Sequence, residues 1–135
     1  RSKNLTIIND SKATSYSSSI GILKSLTNVY WIVGGLAKQG DKFLLSKNDC
    51  KTFKAYIFGK DKKQFIKQLK NFMHCEQFTD LIFLTRKILL DIKKERNSTH
   101  KIILFSPAAA SFDSFKNFEE RGKYFNNLIK KLINV

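Results

Sequence analysis

Lys101-Ile-Ile-Leu-Phe-Ser-Pro-Ala-Ala-Ala-Ser111 joins a short apolar run to a Ser-Pro stop and a run of small side chains. An apolar run bounded by turn residues is the pattern of a strand covered on both faces. The proline closes it, because proline has no N–H to give to a strand ladder. Working outward, three more runs read the same way. They are Leu5-Thr-Ile-Ile-Asn-Asp10, Val29-Tyr-Trp-Ile-Val33 stopping at Gly34-Gly35, and Phe53-Lys-Ala-Tyr-Ile-Phe58 stopping at Gly59. Phe72 to Glu76 is expected to be a further strand.

The stretches between them carry helical spacing. Ser17 to Leu26 reads as a helix whose serines can cap its start. Lys62 to Leu69 places Phe65, Ile66 and Leu69 at helical intervals, and Thr79 to Glu95 does so with Leu81, Ile82, Leu84, Ile88, Leu89 and Ile92. Phe115 to Ile133 is expected to be helical with an interruption near Gly122, its second part carrying Tyr124, Phe125, Leu128, Leu132 and Ile133 on one side. Strands alternating with helices require crossover connections, and these give an α/β, Rossmann-like, mostly parallel sheet flanked by helices.

The chain has 135 residues, 42% of them hydrophobic, with 12 Phe, 4 Tyr and one Trp. That excludes a disordered chain and is enough for a single domain over residues 1–135. No apolar run approaches the ~20 residues that a membrane helix needs, so no membrane insertion is expected. Arg1-Ser-Lys-Asn4 does not open a secretory signal, and the absence of an initial Met points to a fragment of a longer protein.

The net charge of +14 attracts anions, and nucleic acid is the usual inference. Here, however, only Arg1, Arg86, Arg96 and Arg121 are arginines among the 25 basic residues. Recognition of bases and phosphates favours the guanidinium fork. The lysines are spread along the chain, which reads as a solvated surface. Cys50 and Cys75 show no paired-ligand spacing and His74 and His100 complete no metal set, so reduced thiols and no metal site are expected.

Three strand ends carry polar residues, and in such sheets ligands bind beyond the carboxyl ends of the strands. Asp10-Ser-Lys-Ala-Thr14 is either an exposed turn or a ligand-holding loop with Lys12 for an anion. Gly34-Gly-Leu-Ala-Lys38 is either a strand-ending turn or a place where backbone approaches a ligand beside Lys38. It is not a P-loop, since no GxxxxGK[ST] occurs in the chain. In Ser106-Pro-Ala-Ala-Ala-Ser-Phe-Asp113, Ser111 can offer hydroxyl and amide to an anion, or the loop serves to pack Phe112, Phe115 and Phe118 into the core. No Ser-His-Asp set and no paired carboxylates are evident, and Glu119-Glu120 read as the polar face of the last helix.

Taken together, these segments resemble the C-terminal domain of the Mur ligase family, most closely its D-glutamate-adding branch. Asn9-Asp-Ser-Lys-Ala-Thr14 resembles the NDSKATN segment, with Ser15 for the final Asn. Ser106 to Gly122 resembles SPACASxDxFKNFExRG, with Ala109 where Cys is common. Gly34 to Lys38 resembles GGxxK, and Phe58-Gly-Lys-Asp61 resembles FGxD, in the same order and over essentially the whole chain. The resemblance implies a cytoplasmic, monomeric, three-domain enzyme of peptidoglycan precursor synthesis, with its UDP-binding and central ATP-binding domains outside this chain. ATP with Mg²⁺ would activate the carboxylate of UDP-N-acetylmuramoyl-L-alanine as an acyl phosphate for attack by D-glutamate. Thr14, Lys38, Ser111 and the N–H of Phe118 would hold the carboxylates of D-glutamate, with Lys12 on the same face and Asp10 toward the nucleotide. No catalytic residue and no metal ligand is expected in this fragment, which alone would be inactive. The alternatives are a family member adding another amino acid, and a basic nucleic-acid-binding module.

Overall fold

The computed structural model describes residues 4–95, 99–111 and 115–133. Among these described residues, five parallel strands form one sheet: β1 (Leu5–Asn9), β2 (Val29–Gly34), β3 (Phe53–Phe58), β4 (His74–Gln77) and β5 (Lys101–Phe105). Four helices accompany it: α1 (Tyr16–Leu23), α2 (Lys62–Leu69), α3 (Leu81–Lys94) and α4 (Phe118–Ile133). A short 3-10 helix, Asn48–Cys50, precedes β3 and had no counterpart in the sequence reading. The expected α/β, Rossmann-like sheet is present. Its order is β1-β5-β2-β3-β4, so the last strand enters between the first two.

Strand alternation sends side chains to two cores. On β2, Val29, Trp31 and Val33 face one side with α1 and α2, where Tyr16, Leu23, Phe65 and Leu69 are buried. Tyr30 and Ile32 face the other with α3 and α4, where Leu84, Ile88, Phe125 and Ile129 are buried. Every residue of β2 is buried, as a central strand covered on both faces requires. Trp31 is the largest fully buried side chain, and burial of an apolar side chain of its class contributes roughly 1.5–3 kcal/mol.

Several boundaries differ from expectation. The first helix is earlier than Ser17 to Leu26, because Ser15 takes the cap and its hydroxyl accepts from the Ser18 N–H. The fourth strand starts at His74 rather than Phe72. The last helix begins at Phe118, not Phe115, and runs through Gly122 without a break. Gly122 is small for another reason: a Cβ there would lie 3.1 Å from Ser11 Cβ, so glycine lets α4 close on the loop after β1. Ile82 and Tyr124 are more exposed than their assigned faces imply, while Ile129, absent from that face, is buried.

Gly34 stands at φ +139°, and a Cβ on it would fall 1.9 Å from the Phe58 carbonyl oxygen, its partner in the adjacent strand. Gly21, on the exposed face of helix α1, has nothing within 4 Å of its Cβ position. Two opposite outcomes are therefore expected on chemical denaturation. Gly34→Ala should destabilise the chain by roughly 3 kcal/mol or more through strain and clash, and Gly21→Ala should stabilise it by about 0.5–1 kcal/mol.

Candidate functional site

The loops after β1, β5 and β2 leave adjacent strands at the same carboxyl edge, so topology alone brings the three polar segments together. At the end of β1, the Asn9 amide donates to Gly122 O at 2.9 Å and Asn126 Oδ1 at 2.8 Å, and its Oδ1 accepts from the Ser11 N–H at 3.1 Å. Asp10 extends the ladder, its N–H donating to Phe105 O at 2.7 Å. Its Oδ2 accepts from Ser106 Oγ at 2.8 Å, and Ser106 Oγ lies 2.6 Å from Ser19 Oγ. The Ser106 carbonyl in turn accepts from Trp31 Nε1 at 2.7 Å. Ser19 of α1 and Ser106 just after β5 thus fix the Asp10 carboxylate through two buried hydroxyls, while Trp31 of β2 holds the Ser106 backbone.

The segment after β2 is tied on both sides. Leu36 and Ala110 exchange both backbone hydrogen bonds at 3.1 Å, next to Ser111. On the other side, the Ala37 N–H donates to Asp61 Oδ2 at 2.8 Å and the Asp61 N–H donates to Gly35 O at 3.1 Å. The close approaches made by Gly34 and Gly35 are to backbone: to Phe58 O, and to Ala110 O at 2.7 Å from a Cβ built on Gly35. The glycine pair serves the packing of neighbouring chain segments. Beyond these ties, Lys38 is exposed, with its carbonyl accepting from the Asp41 N–H at 3.1 Å.

The loop after β5 is joined to α4 by Arg121, which is 1% exposed. Its Nη1 donates to Ala109 O at 2.9 Å, its Nε to Ser11 Oγ at 3.1 Å and its Nη2 to Ser11 O at 2.5 Å. Ser11 Oγ then donates to Phe118 O at 2.7 Å. Asn117 Oδ1 accepts from the Glu120 N–H at 2.8 Å at the start of α4, and the Phe118 N–H belongs to the first turn, whose donors have no partner within the helix. Ala109 is fully buried.

Among the described residues, the hydroxyl of Thr14 and the ammonium groups of Lys12 and Lys38 are exposed and engaged by no hydrogen bond or ion pair. Ser111 is buried beside Ala110, and its carbonyl accepts from the Phe115 N–H at 2.9 Å. Phe118 is 38% exposed rather than packed in the core, whereas Phe115 is half-buried against Tyr124. Phe112 and Asp113 lie outside the described residues. The cysteines stand apart from this edge: burial pushes both the Cys50 and Cys75 thiols up to about 11, so they stay protonated at neutral pH. His74 is exposed at the start of β4, and His100 Nε2 lies 2.6 Å from Thr6 Oγ1.

Sequence reasoning missed the residues that arrange this edge: Arg121, Ser106, Ser19 and Asp61. Arg121, Ser106 and Asp61 lay inside quoted motifs, and a charged residue next to a glycine or glycine-ended strand, as Arg121 is to Gly122 and Asp61 to Gly59, is the signal that could have singled out two of them. An ammonium cannot reproduce the fork that reaches Ser11 and Ala109 together. Arg121→Lys should therefore lower stability by roughly 2–4 kcal/mol in denaturant titrations, and an unchanged midpoint would contradict the clamp.

No family model matches the chain. It is 37% identical over 131 residues to a UDP-N-acetylmuramoylalanine–D-glutamate ligase of Rickettsia felis, covering 95% of this chain and 28% of that protein. Ligases of the same name from the Wolbachia of Brugia malayi and from Francisella philomiragia are 38% and 36% identical, over 96% and 95% of the chain and 26% and 31% of their own lengths. The chain thus spans about a quarter to a third of the relatives it matches. It is a homologue of one segment of the UDP-N-acetylmuramoylalanine–D-glutamate ligases, a match consistent with their C-terminal domain.

Proposed function

We propose that the chain is the C-terminal domain of a ligase that adds D-glutamate to UDP-N-acetylmuramoyl-L-alanine in peptidoglycan precursor synthesis. The observation that supports this most is the identity across nearly the whole chain to ligases of that name, with their motif-like segments on adjacent strand ends. In the complete enzyme, ATP would activate the carboxylate of the UDP precursor as an acyl phosphate. The present residues supply the partner for that step.

D-Glutamate carries two carboxylates and an amine that must arrive free of its proton. A dianion is matched by an ammonium and neutral donors, since charge-assisted hydrogen bonds both bind and orient it. Lys38, the Thr14 hydroxyl, Ser111 and the Phe118 N–H form that set in this reading, with Lys12 adding positive charge from the same face. The Asp10 carboxylate, held by Ser106, is suited to accept hydrogen bonds from ribose hydroxyls of the nucleotide. In this reading Mg²⁺ travels with the phosphates held by the remaining domains. Among the described residues no helix is long and apolar enough to cross a membrane. The complete protein is read as a cytoplasmic monomer, its other partners being its own UDP-binding and central domains.

Two measurements test this. In a ¹⁵N chemical-shift titration, D-glutamate should shift Thr14, Lys38, Ser111 and Phe118 more than L-glutamate does, with millimolar affinity, on the order of −4 kcal/mol. In the complete protein, ATP consumption should require both D-glutamate and the UDP precursor, while this segment alone turns nothing over. ATP consumption indifferent to D-glutamate, or turnover by the pure segment, would contradict the assignment.

A further inference from the structure

Asp61 occupies the N-cap position of α2, and aspartate is among the best capping residues. Its carboxylate nevertheless makes no hydrogen bond to its own helix. The N-caps of α1 and α3 behave as expected: Asp80 accepts from the Phe83 N–H at 2.9 Å to start α3, and Ser15 caps α1. At Asp61 the backbone alone supports α2, its carbonyl accepting from the Gln64 and Phe65 N–H groups at 3.0 and 3.2 Å. The side chain has turned away, and Oδ2 accepts from the Ala37 N–H at 2.8 Å instead.

The Asp61 N–H also donates to Gly35 O at 3.1 Å, so one residue grips Gly35 and Ala37 while Ala110 grips Leu36 between them. The chain over these three residues is therefore tied alternately to the strand-end loops of β3 and β5. Lys38 is the next residue, and its exposed ammonium makes no hydrogen bond or ion pair. A long ammonium side chain has many rotamers, and its reach is defined only as well as its backbone is held.

We propose that Asp61 is a positioning residue that fixes the backbone from which Lys38 reaches the amino-acid substrate, so that it sets affinity for D-glutamate without touching it. The inference rests on the reading of Lys38 as a carboxylate ligand. What favours it over a simple helix cap is the direction of the carboxylate, which serves the other loop and leaves its own helix uncapped.

The test is steady-state kinetics of the complete ligase chain with Asp61→Ala, Asp61→Ser, Asp61→Asn and Lys38→Ala. Losing a charge-assisted hydrogen bond of this kind corresponds to about a tenfold effect. Asp61→Ala and Asp61→Ser should raise the KM for D-glutamate by about tenfold while the KM for ATP stays constant. Serine is short but can cap α2, so Asp61→Ser should keep thermal stability near wild type and still fail to restore the KM. Asparagine keeps an acceptor oxygen at the same reach and should return the KM to within about threefold of wild type. Wild-type KM for D-glutamate in Asp61→Ala, or full recovery in Asp61→Ser, overturns the inference while a raised KM in Lys38→Ala leaves the site reading standing. An unchanged KM in Lys38→Ala overturns that reading and this inference with it.

Discussion

A guanidinium stays charged at every accessible pH, so wherever it is buried its donors must find acceptors. Arg121 meets that requirement with the Ser11 carbonyl, the Ser11 hydroxyl and the Ala109 carbonyl. Because Ser11 follows β1 and Ala109 follows β5, one side chain from α4 holds two strand-end loops in register with the helix. Gly122, next in sequence, removes the bulk that would keep α4 away from Ser11. Positions in sequence separated by about a hundred residues are thereby held at hydrogen-bond distance, and the polar edge of the sheet inherits its shape from that contact.

The rest of the edge is built on the same plan, with polar groups spent on holding loops while the groups suited to a substrate are left facing out. Ser106 and Ser19 hold Asp10, and Asp61 and Ala110 hold the segment before Lys38. Lys12, Thr14 and Lys38 remain exposed. Preorganised donors around a charged substrate give orientation at little cost when it binds. The lysine-rich surface, with its net charge of +14, adds a general attraction for anions that is separate from this local arrangement.

Much of the architecture was legible in the sequence because two-sided burial leaves apolar runs that need no partner to be recognised. Val29 to Val33 and Lys101 to Phe105 are of that kind, and the parallel sheet followed from the helices between them. What could not be read was the insertion of β5 between β1 and β2, since pairing order depends on contacts between distant segments. The start of α4 was misplaced because Phe115 fits the helical pattern, yet Asn117 provides the cap. Gly122 was taken as a break because glycine weakens helices, whereas tertiary packing sets its size here. At the site, Lys12, Thr14, Lys38 and Ser111 could be singled out by their own chemistry, whereas Arg121, Ser106 and Asp61, though inside the same quoted motifs, act only through partners that the fold supplies.

The central claim is that the ends of β1, β2 and β5 form one pocket for a dicarboxylate amino acid. A crystal structure of the complete protein grown with D-glutamate tests it directly. The account predicts one carboxylate of D-glutamate within hydrogen-bond distance of Lys38 and the other carboxylate against Ser111 or the Phe118 N–H. Density for D-glutamate at any other edge of the sheet, or wholly within the remaining domains, would contradict it.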